Sequence, residues 1–168
     1  IVYISSMNID QNHLSVASKG GGWRDVGIRL QGRGLDEALH AFEGAWDHHF
    51  LKKRLDDILS PEQQGSSMRF NNSRHRRRAQ YKKLLRSIAR AKKRIWITNA
   101  YFVPDIFLLK KLKDAAGKGV DVQIVLPRHA DVSFVPWLSH AYYENLLLNG
   151  VKIFEYLPGM LHAKTIMI

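Results

Sequence analysis

The sequence has no cysteine, so it can form neither a disulfide framework nor a thiolate metal site. No apolar run approaches the roughly 18 residues of a membrane-spanning helix. Acidic residues are scarce: 15 Asp and Glu stand against 26 Lys and Arg, which gives a net charge of +11. This excess favours an anionic partner, such as nucleic acid, anionic lipid headgroups or a phosphorylated substrate. With 45% hydrophobic residues, the 168-residue chain can bury a sizeable core.

Acidic residues are missing altogether between Glu62 and Asp105, although twelve of the 26 Lys and Arg lie there. A solvated helix face usually mixes charges of both signs, so this composition favours contact with an anionic surface. We expect the stretch from Arg69 to Arg94 to bind anionic bilayers peripherally, or to line an active-site rim through Arg74 and His75. Apolar residues recur there at helical spacing and predict an amphipathic helix: Tyr81, Leu84, Leu85 and Ile88.

The second part of the chain alternates between strand and helix patterns. Strands are predicted at Arg94–Asn99, Val120–Leu126 and Val151–Tyr156, and Asp105 is placed to cap the helix that follows the first of them. This alternation predicts an α/β sandwich with a mostly parallel sheet flanked by helices. A further helix is predicted over Trp137 to Leu146. The polar segment 60–67, with Pro and Gly, is predicted to be a linker between a first region, 1–59, and a second, 68–168.

The first region contains two predicted strands and a helix. The strands are Ile1–Ile4 and Trp23–Leu30, the latter with Val26, Ile28 and Leu30 on one face. Helical spacing of Leu35, Leu39, Phe42 and Trp46 predicts the helix, with Phe42 and Trp46 in the core. His48 and His49 are not expected to bind metal, because adjacent histidines on a helix point in different directions.

The last residues of the chain carry the most informative pattern. Alternation over Leu161–Ile168 predicts a strand, and His162 and Lys164, two residues apart, would share one face of it. An imidazole beside a fixed ammonium suits chemistry on a phosphate: the imidazole attacks or exchanges a proton, and the lysine holds an oxygen. By itself the pair is also compatible with an edge histidine and a solvated lysine.

The run His162–Ile168 resembles the H-x-K-x-x-x-x-D signature of the phospholipase D superfamily and stops one position before its aspartate. Three segments, 99–105, 122–127 and 150–156, look like the bacterial cardiolipin synthase branch. Ser6 and Asn8 match the G-S/G-x-N element that follows the first H-x-K motif of this superfamily, and Ser5 replaces its glycine. The resemblance implies a bilobal protein, of which 1–59 would end the first lobe and 68–168 would begin the second.

The resemblance also implies an activity: metal-free and cofactor-free transfer of a phosphatidyl group from phosphatidylglycerol to a second phospholipid, through a phosphohistidine. His162 and Lys164 would be catalytic, and Ser6 and Asn8 would bind phosphate. Asn99, Tyr101 and Phe102 would line the pocket, although core packing of the two aromatic residues is an equal alternative. The missing aspartate would orient the histidine.

By the same resemblance, the protein would lie peripherally on the inner, cytoplasmic membrane of a bacterium, with anionic phospholipids as partners. The 168 residues alone would be inactive, because they carry one of two catalytic histidines. Two other functions stay open. The basic composition also suits a phosphodiesterase nuclease of the same superfamily. A non-catalytic module that binds anionic surfaces is the second.

Overall fold

The computed structural model describes residues 1–32, 35–46 and 74–168. Its contacts divide the chain into two compact units, Ile1–Ile4 with Ile28–Tyr81, and Ser5–Gly27 with Lys82–Ile168. The predictions for His48 and His49 and for the linker 60–67 lie outside the described residues. Among the residues described, no helix is long and apolar enough to cross a membrane.

The first unit has one described helix and most of a two-stranded sheet. Strand β1 (Val2–Ser5) pairs with β2 (Gly27–Leu30), and helix α1 spans Leu35–Trp46. The helix confirms the predicted spacing, but Phe42 is 64% exposed, so its placement in the core is wrong. Strand β2 also begins four residues later than predicted, and Ile28 is exposed.

The second unit is built on a four-stranded sheet in the order β5-β4-β3-β6. Strands β3 (Arg94–Asn99), β4 (Asp121–Pro127) and β5 (Lys152–Tyr156) run parallel, and β6 (Lys164–Met167) pairs antiparallel with β3. The helices are α2 (Arg74–Arg90, which begins in the first unit), α3 (Ile106–Gly117), α4 (Phe134–His140) and α5 (Tyr143–Leu148). The predicted α/β class with a mostly parallel sheet is confirmed.

The core forms where strand residues meet the apolar sides of the helices. Alternate residues of β3 and β4 are buried, and they pack with Ile88 of α2, Leu112 of α3 and Leu146 of α5. Helix α3 begins where predicted, because the Asp105 carboxylate accepts a hydrogen bond from the backbone N–H of Leu108 at 2.9 Å. The single helix predicted over Trp137 to Leu146 is instead two short helices, α4 and α5, and Trp137 is 73% exposed.

Strand β6 is shorter than the predicted run Leu161–Ile168. Residues before Lys164 leave β3 because they pair elsewhere: the Arg24 N–H donates to the Met160 carbonyl at 2.8 Å, and the His162 N–H donates to the Arg24 carbonyl at 2.9 Å. This parallel bridge also keeps Trp23–Val26 out of β2. The bridge therefore places Asp25, the residue after Arg24, beside His162.

Candidate active site

The candidate site is centred on the carboxylate of Asp25. Its Oδ1 accepts hydrogen bonds from the Ser6 hydroxyl at 2.6 Å and from His162 Nδ1 at 3.0 Å. Its Oδ2 lies 2.5 Å from Nδ1 of His13. Burial alone would raise the pKa of Asp25, but the hydrogen bonds from Ser6, His162 and His13 outweigh burial, so its pKa lies below the ordinary value. Asp25 is therefore an anion at neutral pH.

His162 is buried and has both ring nitrogens engaged. Its Nδ1 faces Asp25, and its Nε2 lies 2.6 Å from the ammonium nitrogen of Lys164. An ammonium has no lone pair to offer, so the contact assigns the lone pair to Nε2 and the proton to Nδ1. The Asp25 carboxylate thus favours the tautomer in which Nε2 accepts a hydrogen bond from Lys164.

Three aromatic rings surround the His162 imidazole. The ring centroids of His13 and Trp23 both lie 5.3 Å from it, and that of Tyr101 lies 6.1 Å away in an edge-to-face arrangement. Ring contacts of this kind restrict rotation about the side-chain bonds of His162. The Nε2 direction is therefore fixed by packing as well as by the hydrogen bond to Asp25.

Lys164 lies between His162 and Tyr101. Its ammonium is 5.1 Å from the centre of the Tyr101 ring, within cation–π range. Loss of part of its water shell lowers the pKa of Lys164, although the carboxylates of Asp25 and Asp131 oppose the shift. Its ammonium lies against the Nε2 of His162, so an anionic phosphate oxygen bound by Lys164 would lie close to that nitrogen.

Tyr101 is held by hydrogen bonds of its hydroxyl and of its backbone N–H. Its hydroxyl lies 3.0 Å from both oxygens of Asp131, to which it donates, and its backbone N–H donates to the Asn99 side chain at 2.9 Å. Burial and then Asp131 raise the pKa of Tyr101 to about 12, so the hydroxyl keeps its proton and its contact. Asn99 itself pairs with Lys164 across β3 and β6.

The structure brings several of the predicted site residues together. His162 and Lys164 meet as expected, although His162 precedes β6. Tyr101 and Asn99 lie beside them. Of the two alternatives given for Phe102, the structure shows core packing and not the pocket: the residue is 3% exposed and packs in the hydrophobic core, and its carbonyl accepts a hydrogen bond from buried Ser139 at 2.8 Å.

The remaining predicted site residues are Ser6, Asn8, Arg74 and His75. Ser6 belongs to the site, but its single hydroxyl proton goes to Asp25, so a phosphate would have to compete for it. Asn8 is exposed. Arg74 and His75 are exposed at the start of α2, in the first unit. The phosphate-binding roles of Ser6 and Asn8 and the pocket-lining roles of Arg74 and His75 stay predictions.

Sequence reasoning missed Asp25, His13 and Trp23. The carboxylate that contacts Nδ1 of His162 is that of Asp25, which the sequence analysis did not single out. One signal was available: Asp25 is the only acidic residue between Asp10 and Asp36. Its partner, however, is 137 positions away in sequence.

Local backbone structure explains how Asp25 and His13 are held. His13 ends a short 3-10 helix, Gln11–His13, which Asp10 caps by accepting from the Asn12 N–H at 2.8 Å. The glycine-rich loop that follows lies against this segment, and a Cβ at Gly20 would come within 2.4 Å of Leu14. Only glycine permits this close approach. The loop therefore returns the chain to Asp25 directly beside His13.

One donor atom from each of His13, Asp25 and His162 lies within 4.8 Å of the others. Two imidazoles and a carboxylate are ligands that zinc and other transition metals accept. In this structure the Asp25 carboxylate is hydrogen-bonded to both histidines, and a metal would have to displace the protons that make these bonds.

A histidine hydrogen-bonded to a carboxylate, with a lysine two positions later, beside a mostly parallel sheet, is the arrangement expected of a phospholipase D-like domain. Residues 84–168 match the family described as "Cardiolipin synthase, PLD-like domain". The chain belongs to this family.

Named relatives agree with the family. The chain is 33% identical to a cardiolipin synthase of Halalkalibacterium halodurans over 99% of its length, and 30% identical to one of Clostridium perfringens. It spans about a third of the length of these relatives, 34% and 37%. A polyphosphate kinase structure from Porphyromonas gingivalis aligns with 51% of the chain at 25% identity and a TM-score of 0.41, too low to infer a shared fold.

Proposed function

We propose that the protein containing this chain transfers a phosphatidyl group from phosphatidylglycerol to the hydroxyl of a second phospholipid, and so forms cardiolipin. The observation that carries the proposal is the contact of His162 Nε2 with the Lys164 ammonium at 2.6 Å, with Nδ1 held by Asp25. The named relatives, all bacterial cardiolipin synthases, support the choice of substrate class.

The chemistry follows from this arrangement. In the first step a histidine nitrogen attacks phosphorus, a P–N bond forms, the ester P–O bond breaks, and the departing glycerol oxygen takes a proton from a second histidine. In the second step that histidine removes a proton from the acceptor hydroxyl, whose oxygen attacks phosphorus and displaces the first histidine. Phosphatidylglycerol thereby loses glycerol, and the phosphodiester count is unchanged.

His162 can fill either histidine role, since both need a fixed Nε2. Lys164 would bind a non-bridging phosphate oxygen and stabilise the charge that grows on it in the transition state. Asp25 would stabilise the imidazolium that forms when His162 gains a proton or a bond to phosphorus. Tyr101 would hold the Lys164 ammonium over its ring and so keep it near the phosphate.

The test is an assay of the full-length protein with phosphatidylglycerol vesicles and, in parallel, with single- and double-stranded DNA. We expect cardiolipin and glycerol in equal amounts, no DNA cleavage, and loss of product in His162→Asn. The matched control is His129→Asn, in an exposed loop after β4, which should retain activity.

Two results would contradict the proposal. DNA cleavage without a lipid product would identify a nuclease of the same superfamily. Vesicle binding that survives His162→Asn, with no turnover of either substrate by the unaltered protein, would identify a binding module.

Rapid acid and alkaline quenching with phosphorus-labelled lipid would assign the histidine roles. If His162 forms the P–N bond, label on the protein disappears in His162→Asn. If it exchanges the proton, labelled protein still forms in that variant when the lipid carries a leaving group that needs no protonation.

A further inference from the structure

His13 is a buried histidine that the proposed reaction does not use. Its side chain is 3% exposed, and its Nδ1 lies 2.5 Å from the Asp25 carboxylate. Backbone hydrogen bonds on both sides hold it in place: the Trp23 N–H donates to the Asn12 carbonyl at 3.1 Å, and the Gly22 N–H to the Leu14 carbonyl at 2.9 Å. A histidine whose backbone is held in this way can fix the positions of the side chains that contact it.

The two oxygens of Asp25 are divided between different partners. His13 engages Oδ2 alone, whereas Ser6 and His162 both bond to Oδ1. A carboxylate is planar, so fixing Oδ2 also fixes the direction in which Oδ1 points. Without a partner on Oδ2, the carboxylate could rotate and direct either oxygen, or neither, at His162.

The His13 ring also touches the histidine it would serve. Its centroid lies 5.3 Å from that of His162 and 5.0 Å from that of Trp23, edge-to-face in both cases. The His13 ring thus packs against His162 and also forms a hydrogen bond with Asp25. These two roles can be separated by substitution, because phenylalanine keeps a ring and removes the nitrogen.

We infer that His13 is a positioning residue: it holds the Asp25 carboxylate in the orientation that keeps His162 protonated at Nδ1 and unprotonated at Nε2. The inference rests on the proposed catalytic role of His162. Within the part of the chain that the structure describes, the ionisable groups in contact with His162 besides His13 are Asp25 at Nδ1 and Lys164 at Nε2; Lys164 lies over the Tyr101 ring, whose hydroxyl donates to Asp131.

Two variants of the full-length protein isolate the hydrogen bond. His13→Phe keeps the ring contacts and removes the donor, and we expect kcat to fall by about 10- to 10²-fold, the scale of small misplacements of reacting groups, with KM unchanged. His13→Asn places an amide N–H near the position of Nδ1 and should recover most of the lost kcat. The acid limb of the pH–rate profile should shift in His13→Phe and not in His13→Asn.

A double-mutant cycle tests whether His13 acts through Asp25. In the Asp25→Asn background, His13→Phe should cause little further loss, because the group that it positions is already gone. Additive losses would contradict the inference. So would full activity of His13→Phe, or equal losses in the Phe and Asn variants together with a large fall in melting temperature.

Treatment of the unaltered protein with a metal chelator separates a hydrogen-bond role from metal ligation by His13, Asp25 and His162. Unchanged activity is expected. Loss of activity that added zinc restores would show that His13 is a ligand and would overturn the inference.

A readout without turnover keeps this inference distinct from the proposed function. Nitrogen-15 chemical shifts of histidine-labelled protein report which ring nitrogen carries the proton, and His162→Asn identifies the signals of His162. We expect the Nδ1-protonated form in the unaltered protein and a mixture of forms in His13→Phe. Identical His162 shifts in both would refute the role of His13 even if cardiolipin is made. The expected shifts in a protein that makes no cardiolipin would instead place the failure in the proposed function.

Discussion

Replacement of Asp25 by asparagine tests how far the site depends on a single carboxylate. Three side chains, those of Ser6, His13 and His162, bond to its two oxygens. An asparagine amide has one acceptor oxygen and one NH2 group, so at least one of these side chains must then face a donor. If that side chain is His162, its proton moves from Nδ1 to Nε2, and the lone pair no longer points at Lys164.

The expected loss can be worked out from the charges. A positive charge forming on His162 about 4 Å from the Asp25 carboxylate is stabilised by ~4 kcal/mol at an effective dielectric constant of about 20. Since each ~1.36 kcal/mol is a factor of ten in rate, kcat should fall about 10³-fold. The change of tautomer acts in the same direction, and in the serine protease triad the corresponding substitution costs about 10⁴-fold.

The assay is cardiolipin formation by the full-length protein, normalised to folded protein by thermal melting. The matched control is Asp121→Asn, which alters a carboxylate that also has three partners, Trp96, Gln123 and Lys152, but lies at the first residue of β4, where the strand begins. The control should keep its activity. A loss of less than tenfold in Asp25→Asn, with an unchanged pH–rate profile, would refute the assignment of Asp25 as the orienting group.

Three further outcomes are expected. Lys164→Ala should lower kcat about 10²-fold with little change in melting temperature, because it removes charge stabilisation from an exposed strand position. The pKa of Asp25 is lowered, so its stabilising contribution is present above the ordinary value of 3.8 and is lost only as pH falls through the lowered pKa; melting curves of Asp25→Asn should therefore show a weaker acid-induced fall. Reversal of Arg78, Lys82 and Lys83 to glutamate should weaken binding to anionic vesicles at least about 10²-fold at low salt, since each basic residue near such a surface contributes ~1 kcal/mol; unchanged co-sedimentation would show that α2 is not a lipid contact.

The parts of the fold that the sequence predicted are those that short-range patterns determine. Strands β3 and β4 have alternating or continuous apolar residues, and Asp105 marks the start of α3 by a local hydrogen bond. The contact of His162 with Lys164 is also local, since they are two positions apart in the sequence. Phe42 shows the limit of such patterns, because helical spacing identified an apolar face but could not say what covers it.

The rest of the site depends on contacts between distant residues. Asp25 reaches His162 because Arg24 pairs with Leu161, and no periodicity in the sequence predicts that bridge. Tyr101 and Phe102 are neighbours in one loop, yet one faces Lys164 and the other lies in the core. Residues 30 or more positions away hold this loop: the Tyr101 hydroxyl donates to Asp131, and the Ser139 hydroxyl donates to the backbone carbonyl of Phe102.

The most direct measurement is the rate of cardiolipin formation by His162→Asn in the full-length protein, together with its melting temperature. Asparagine keeps some hydrogen bonding but can neither attack phosphorus nor exchange a proton near neutral pH. We expect kcat to fall at least ~10²-fold, the scale of general acid–base catalysis, with the melting temperature nearly unchanged. Activity retained per folded molecule, together with a large fall in melting temperature, would show that His162 is structural and would contradict the account of this site.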